Sequence, residues 1–136
     1  MSKSVDDILQ RFREIEGFQA VGVYSTNGEL IAQLNQSENY KLDNAGNLTN
    51  SVLMNTQKAA DELNVGAGNR TIITTNEATI ITQTYNEGEN PVQEDSGKVQ
   101  FNIIAIFEQE IQLAVTKMKI DKIVYEIAPY VSGSNS

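Results

Sequence analysis

Apolar residues recur along this chain with two different periods, and the changes of period mark its elements. Near the N-terminus Val5, Ile8, Leu9, Phe12 and Ile15 follow at helical spacing, which predicts a helix over 5–16 packed by one face. Ser4 is placed to cap it, Asp7 completes a capping-box variant, and Gly17 stands where a left-handed C-cap belongs. Two short runs at 20–24 and 30–34 read as strands, and Asn27-Gly28 between them predicts a type I′ hairpin turn. Gly22, inside the first strand, predicts the close approach of another element.

A polar connection at 35–41 leads to a long helix over 42–64. On a helical projection Ala45, Leu48, Val52, Ala59 and Leu63 form one stripe, which Leu42, Leu53 and Ala60 widen to an apolar arc of about 140°. Such an arc is broader than one packing seam needs. It fits a helix that packs on a sheet and also touches a second partner, and equally a helix buried deep inside a monomer. Gly66-Ala67-Gly68 ends the helix. Strands follow at 71–75 and 78–85, rich in Ile and Thr and joined at Asn76-Glu77. The stretch 86–98 holds Gly88, Pro91 and Gly97 with Glu87, Glu89, Glu94 and Asp95, and predicts a long acidic hairpin loop.

The strand at 99–107 carries Val99, Phe101, Ile103, Ala105 and Phe107 on one face and Ile104 and Ile106 on the other. Apolar residues on both faces predict a central strand covered by helices on both sides. The last helix, 112–131, has one stripe of Leu113, Ile120, Val124, Ile127 and Val131 and another of Ala114, Val115, Met118 and Tyr125. Pro129 predicts that it stops just short of its apparent end. The expected organisation is one α+β domain over 1–131 with a disordered tail at 132–136. The order αββαβββα gives a three-layer α/β/α sandwich on a mainly antiparallel sheet, and the missing βαβ alternation argues against Rossmann and P-loop folds.

Composition narrows the chemistry. A chain of 136 residues can bury roughly 70% of its unfolded surface, enough for one core. With no cysteine and no histidine it lacks thiolate nucleophiles, the usual neutral-pH base and the commonest metal ligand. The net charge of −8 argues against duplex DNA and anionic membrane as main partners. No signal sequence is apparent and no apolar run approaches the length of a membrane span, so a soluble cytoplasmic protein is expected, with no cofactor and no metal.

Individual motifs point to structure more than to chemistry. Gly66-Ala67-Gly68 follows a helix, lacks a third glycine and precedes no helix, so it reads as a turn and not a phosphate cradle. The stretch starting at Asp43 has Ala45 at the third position and Met54 at the twelfth, where a calcium loop needs a ligand and a glutamate. The acid pairs Asp6-Asp7, Asp61-Glu62 and Glu108/Glu110, and the lysines Lys117, Lys119 and Lys122, read as solvated surface. Met54, outside the apolar arc, hints at an interaction surface.

The chain resembles the roadblock family, whose members include MglB-like bacterial regulators. The residues that carry the resemblance are Glu16-Gly17-Phe18, the hairpin from Val21 to Ala32, Ala59-Ala60-Asp61-Glu62-Leu63-Asn64-Val65-Gly66, and Gln112-Leu113-Ala114-Val115. Glu16 stands where the family usually has proline and Ala114 where it has glycine, and the acidic loop is longer than typical. The resemblance implies a five-stranded sheet in the order 2-1-5-4-3, with the first and last helices on one face and the second on the other. It also implies a homodimer through the second helix and the third-strand edge, here Ala45, Leu48, Val52, Thr56, Ala59, Ile72 and Thr74. The strand 71–75 fits such pairing, having no proline or lysine to block its edge. The implied function is non-catalytic: binding and regulation of a small Ras-like, MglA-like GTPase, or scaffolding. Met54, Glu87, Glu89, Glu94 and Asp95 are the candidate partner surface. A profilin-, PAS- or GAF-like sensor with a ligand between sheet and helix is the alternative, and an enzyme a third.

Overall fold

The computed structural model describes residues 4–37, 40–43, 45–86 and 99–134. Its first helix, α1 (Val5–Leu9), starts with the expected capping box: the Ser4 hydroxyl accepts from the Asp7 amide at 3.3 Å, and the Asp7 carboxylate accepts from the Ser4 amide at 3.1 Å. The helix does not run to 16 as predicted. It tightens into a 3-10 segment, Gln10–Glu14, before Ile15 turns extended. In a 3-10 helix residues three apart eclipse one another. Leu9, Phe12 and Ile15 have that spacing, and all three are buried. Gly17 then takes the expected left-handed conformation, with φ 84°.

Five strands form one antiparallel sheet: β1 (Phe18–Tyr24), β2 (Leu30–Asn35), β3 (Arg70–Thr74), β4 (Ala78–Asn86) and β5 (Gln100–Glu108). Their order is β2-β1-β5-β4-β3, so the expected topology holds and β5 is central. The β1–β2 turn differs from the expected type I′. Gly28 has a positive φ of 87°, but Asn27 does not. The Gly28 amide donates to the Ser25 carbonyl at 3.0 Å and the Ser25 amide to Glu29 at 2.9 Å, with a register shift between Val23 and Tyr24. The loop is thus one of the longer hairpin connections with a glycine in the left-handed position, not a two-residue turn.

Helix α2 (Gly46–Leu63) covers one face of the sheet, and α1 with α3 (Leu113–Ser134) covers the other. The α1/α3 layer is apolar: Phe12, Phe18, Val21, Ile81, Phe101, Ile103, Phe107, Ile120 and Ile127 share one cluster. Phe12, Phe18 and Phe107 pack ring on ring, with centroids 5.6 and 6.1 Å apart. On the α2 side a smaller cluster gathers Ala20, Tyr24, Leu42, Ala78, Ile104 and Ile106. The element that approaches Gly22 is its own strand neighbour: a Cβ there would lie 2.5 Å from the Tyr24 hydroxyl. That hydroxyl donates to the Leu42 carbonyl, and burial, then the nearby charge of Asp43, push its pKa up to about 12.

The last helix runs through Pro129 to Ser134, past its predicted end at Val131. Proline removes one backbone donor and leaves the carbonyl four residues back, that of Tyr125, without its helical partner. Tyr125 and Pro129 are both exposed, so water reaches that side, while Ile127, Ala128 and Val131 hold the opposite side in the core. No helix among the described residues is long and apolar enough to cross a membrane.

Candidate protein-interaction site

The second helix begins four residues later than predicted, and Leu42 is buried in the approach to it. No side chain caps its N-terminus at Ala45. Backbone contact holds it instead: a Cβ on Gly46 would lie 2.0 Å from the Gly28 carbonyl oxygen, so the helix start and the hairpin turn touch where only glycine fits. The Asn50 amide donates to the Thr26 carbonyl at 2.8 Å and its oxygen accepts from Asn102. Further on the Thr56 and Thr71 hydroxyls share a hydrogen bond, and Gln57 accepts from the Gly68 amide at 3.0 Å. The helix ends at Asn64, left-handed at φ 59°, and not at the glycines beyond it.

These contacts define the inward stripe of α2: Gly46, Thr49, Asn50, Leu53, Thr56 and Gln57, at helical spacing. It is small and polar apart from Leu53, and it meets Thr71 and Asn102 of the sheet. The apolar stripe expected from the sequence therefore points the other way. Leu48 is 62% exposed, Leu63 is 72% exposed, Ala59 is exposed and Val52 half-buried, while Ala45, Leu42 and Leu53 of the expected arc pack inward. Of the two readings of the wide arc, burial deep in a monomer is overturned.

Beside this helix lies β3, an edge of the sheet. Pairing register sorts its side chains. Thr71 and Ile73 oppose Thr82 and Ile80 and share their face, on the α2 side. Ile72 and Thr74 oppose Ile81 and Thr79, and Ile81 belongs to the α1/α3 core. The structure thus gathers Leu48, Val52 and Ala59 on the outward side of α2, while Thr56, expected with them, faces Thr71 of the sheet and Ala45 packs on the Ala20/Tyr24 cluster before the helix begins. Ile72 and Thr74, expected in that group, sit on the reverse face. Only the β3–β4 register distinguishes the two sets, and a strand read alone does not reveal it.

No charged side chain occurs from Gly46 to Gln57 or from Thr71 to Asn76. Charge returns at Lys58, Asp61 and Glu62 near the helix end. An exposed surface of this kind can be buried without desolvating an ion, and interface centres are depleted of charge for that reason. Burying Leu48 alone would contribute about 1.5–3 kcal/mol. Met54 is exposed, as expected, and lines a cavity of about 60 Å³ with Thr26, Asn50, Leu53, Gln100 and Asn102. The acids Glu87, Glu89, Glu94 and Asp95 lie outside the described residues.

No family model matches the chain, and no curated protein matches it. Its fold is similar to solved structures. Myxococcus xanthus MglB aligns over 92% of both chains with a TM-score of 0.70 and 14% identity. The gliding protein MglB of Thermus thermophilus aligns over 98% of this chain and 95% of its own, with a TM-score of 0.72 and 12% identity. A Roadblock/LC7 domain from Streptomyces avermitilis aligns over 95% and 98%, with a TM-score of 0.71 and 11% identity. The sheet order, the split of the helices between its faces and these likenesses together show that the chain has a roadblock/MglB-like fold.

Proposed function

We propose that this roadblock-type module is a non-catalytic homodimer that binds and regulates a small Ras-like GTPase in the cytoplasm. The observation that carries the dimer is the uncharged, exposed stripe of α2 beside the open edge of β3. A second copy covers both at once: α2 against α2 buries Leu48, Val52 and Ala59, and β3 against β3 extends the sheet. The regulatory role rests on the likeness to MglB structures and on the family resemblance of the sequence. Control in this reading is exerted by surface shape, since the stripe offers no acid, base or nucleophile of its own.

The sensor alternative draws no support from the cavity that Met54 and Leu53 line between α2 and the sheet among the described residues. At about 60 Å³ it falls well below the roughly 300–1,000 Å³ of small-molecule sites.

Light scattering tests the dimer: twice 15.0 kDa is expected, and a 15.0 kDa species at micromolar concentration would refute it. Val52→Asp is expected to split the dimer, because a carboxylate buried without a partner is costly. Affinity capture with the cellular GTPases loaded with GDP or a GTP analogue tests the partner. Recovery of a Ras-like GTPase in one nucleotide state, with an altered hydrolysis rate, supports the reading. Recovery in neither state counts against it.

A further inference from the structure

Helix α3 carries a second exposed stripe that the core does not use. Tyr125 is 73% exposed and Met118 53%, with Ala114 exposed on the same side. Together with Arg70 of β3 they border an open groove of about 710 Å³ on the face of the sheet opposite α2. Lys117 and Lys122 line it as well, and so do the acids Asp121 and Glu126.

The charge of this groove is not balanced within the chain. Both acids of α3 are engaged by arginines from other elements. Asp121 accepts from Arg70 at 2.5 Å and also from Gln83 at 2.9 Å. Glu126 accepts from Arg11 of the 3-10 segment. Lys117, Lys119 and Lys122 have neither an ion pair nor a hydrogen bond among the described residues. With both acids taken by arginines, the unpaired ammonium groups of Lys117 and Lys122 thus flank an apolar strip, in a protein of net charge −8. Isolated solvated lysines are ordinary. Lysines that frame an exposed Met and Tyr on an open surface complement a ligand with carboxylates and apolar side chains together.

We propose that this groove docks a short acidic, amphipathic helical segment of a partner protein. From Ala114 to Tyr125 the strip is about 16 Å long, the span of about three helical turns. An amphipathic helix laid in a groove by apolar anchors at i, i+3 and i+7 has the matching spacing. The acidic remainder of the chain repels anionic lipid, which disfavours a bilayer as the occupant. The proposal does not rest on the dimer or GTPase readings, although Arg70 belongs to the strand whose edge the dimer pairs.

The test is selection of random 16-residue peptides displayed against the full chain, followed by fluorescence anisotropy of labelled winners. Enriched peptides should combine several Asp or Glu with apolar residues at helical spacing. Their affinity should fall at least tenfold in Lys117→Glu with Lys122→Glu and in Tyr125→Ser, and should weaken as salt rises. It should be unchanged in Glu29→Gln, an exposed position in the β1–β2 turn. Circular dichroism of each variant verifies folding, and Lys117→Gln with Lys122→Gln should give an intermediate loss. Failure to enrich any peptide, enrichment without acids, or affinity indifferent to these substitutions overturns the proposal. So does a fall in assembly mass caused by the lysine reversals, which makes a second copy the occupant. Co-sedimentation with phosphatidylglycerol vesicles, lost in those reversals and found in place of peptide binding, overturns it in favour of a lipid surface.

Discussion

The two faces of the sheet are built from different materials. Toward α1 and α3 the layer is aromatic and aliphatic, and Phe12, Phe101, Phe107, Ile103 and Ile127 are essentially sealed from solvent. Toward α2 the sheet presents Thr82, Thr84, Gln100 and Asn102, and the helix answers with Thr49, Asn50 and Thr56. The first face supplies the hydrophobic driving force of folding. The second trades driving force for hydrogen bonds of fixed geometry, each worth only about 0.5–1.5 kcal/mol net. The helix held by the weaker set turns its better apolar residues outward. Stability and recognition are thereby assigned to opposite sides of one sheet.

Substitutions should separate the two roles. The largest loss is expected from Phe107→Ala, about 3–5 kcal/mol by urea denaturation, because it empties the aromatic cluster under α1 and α3. Next comes Tyr24→Phe, about 1–3 kcal/mol, which leaves the buried Leu42 carbonyl without its donor. The same variant has a pH signature. The folded phenol stays protonated up to about 12, whereas the unfolded one ionises near 10. That contribution to stability is complete below pH 10 and is lost as the pH rises through 12. Denaturation midpoints of the wild type should therefore fall more steeply in that window than those of Tyr24→Phe. Gly46→Ala should cost about 1–3 kcal/mol, since its Cβ meets the Gly28 backbone and the first helical position gains little from propensity. Smallest in stability is Leu48→Asp, expected within about 0.5 kcal/mol of the wild type at dilutions where both are monomeric, because the side chain is exposed in the single chain. Its effect should appear in light scattering as loss of the dimer. Equal destabilisation by Leu48→Asp and Phe107→Ala would abolish the contrast between the faces.

The order of elements was legible because each apolar run here has a clear period, and β5, apolar on both faces, marks the middle of a three-layer sandwich. The resemblance added the strand order. Local geometry was less legible. The 3-10 tightening after Leu9 depends on a core that wants Leu9, Phe12 and Ile15 in line, and the passage of α3 through Pro129 depends on which side of the helix meets water. At the candidate site the apolar arc of α2 was legible but its direction was not, because the same arc fitted a helix buried in a monomer equally well. Thr71 and Ile73 stayed hidden, because choosing them over Ile72 and Thr74 requires the β3–β4 register. Gly46 stayed hidden too, since its role is a backbone contact with a residue far away in the chain.

The bare edge of β3 has a consequence for assembly size. It is five residues long, rich in β-branched side chains, and free of charge beyond Arg70. Such an edge templates further strands unless something stops it. If it met β2 of another molecule, each addition would expose a fresh β3, and the sheet would grow into a fibre. If it meets a second β3 across a two-fold axis, both open edges are consumed in one step and growth ends at two copies. The same five residues can thus lead to a closed pair or to an endless ribbon, and symmetry alone decides which.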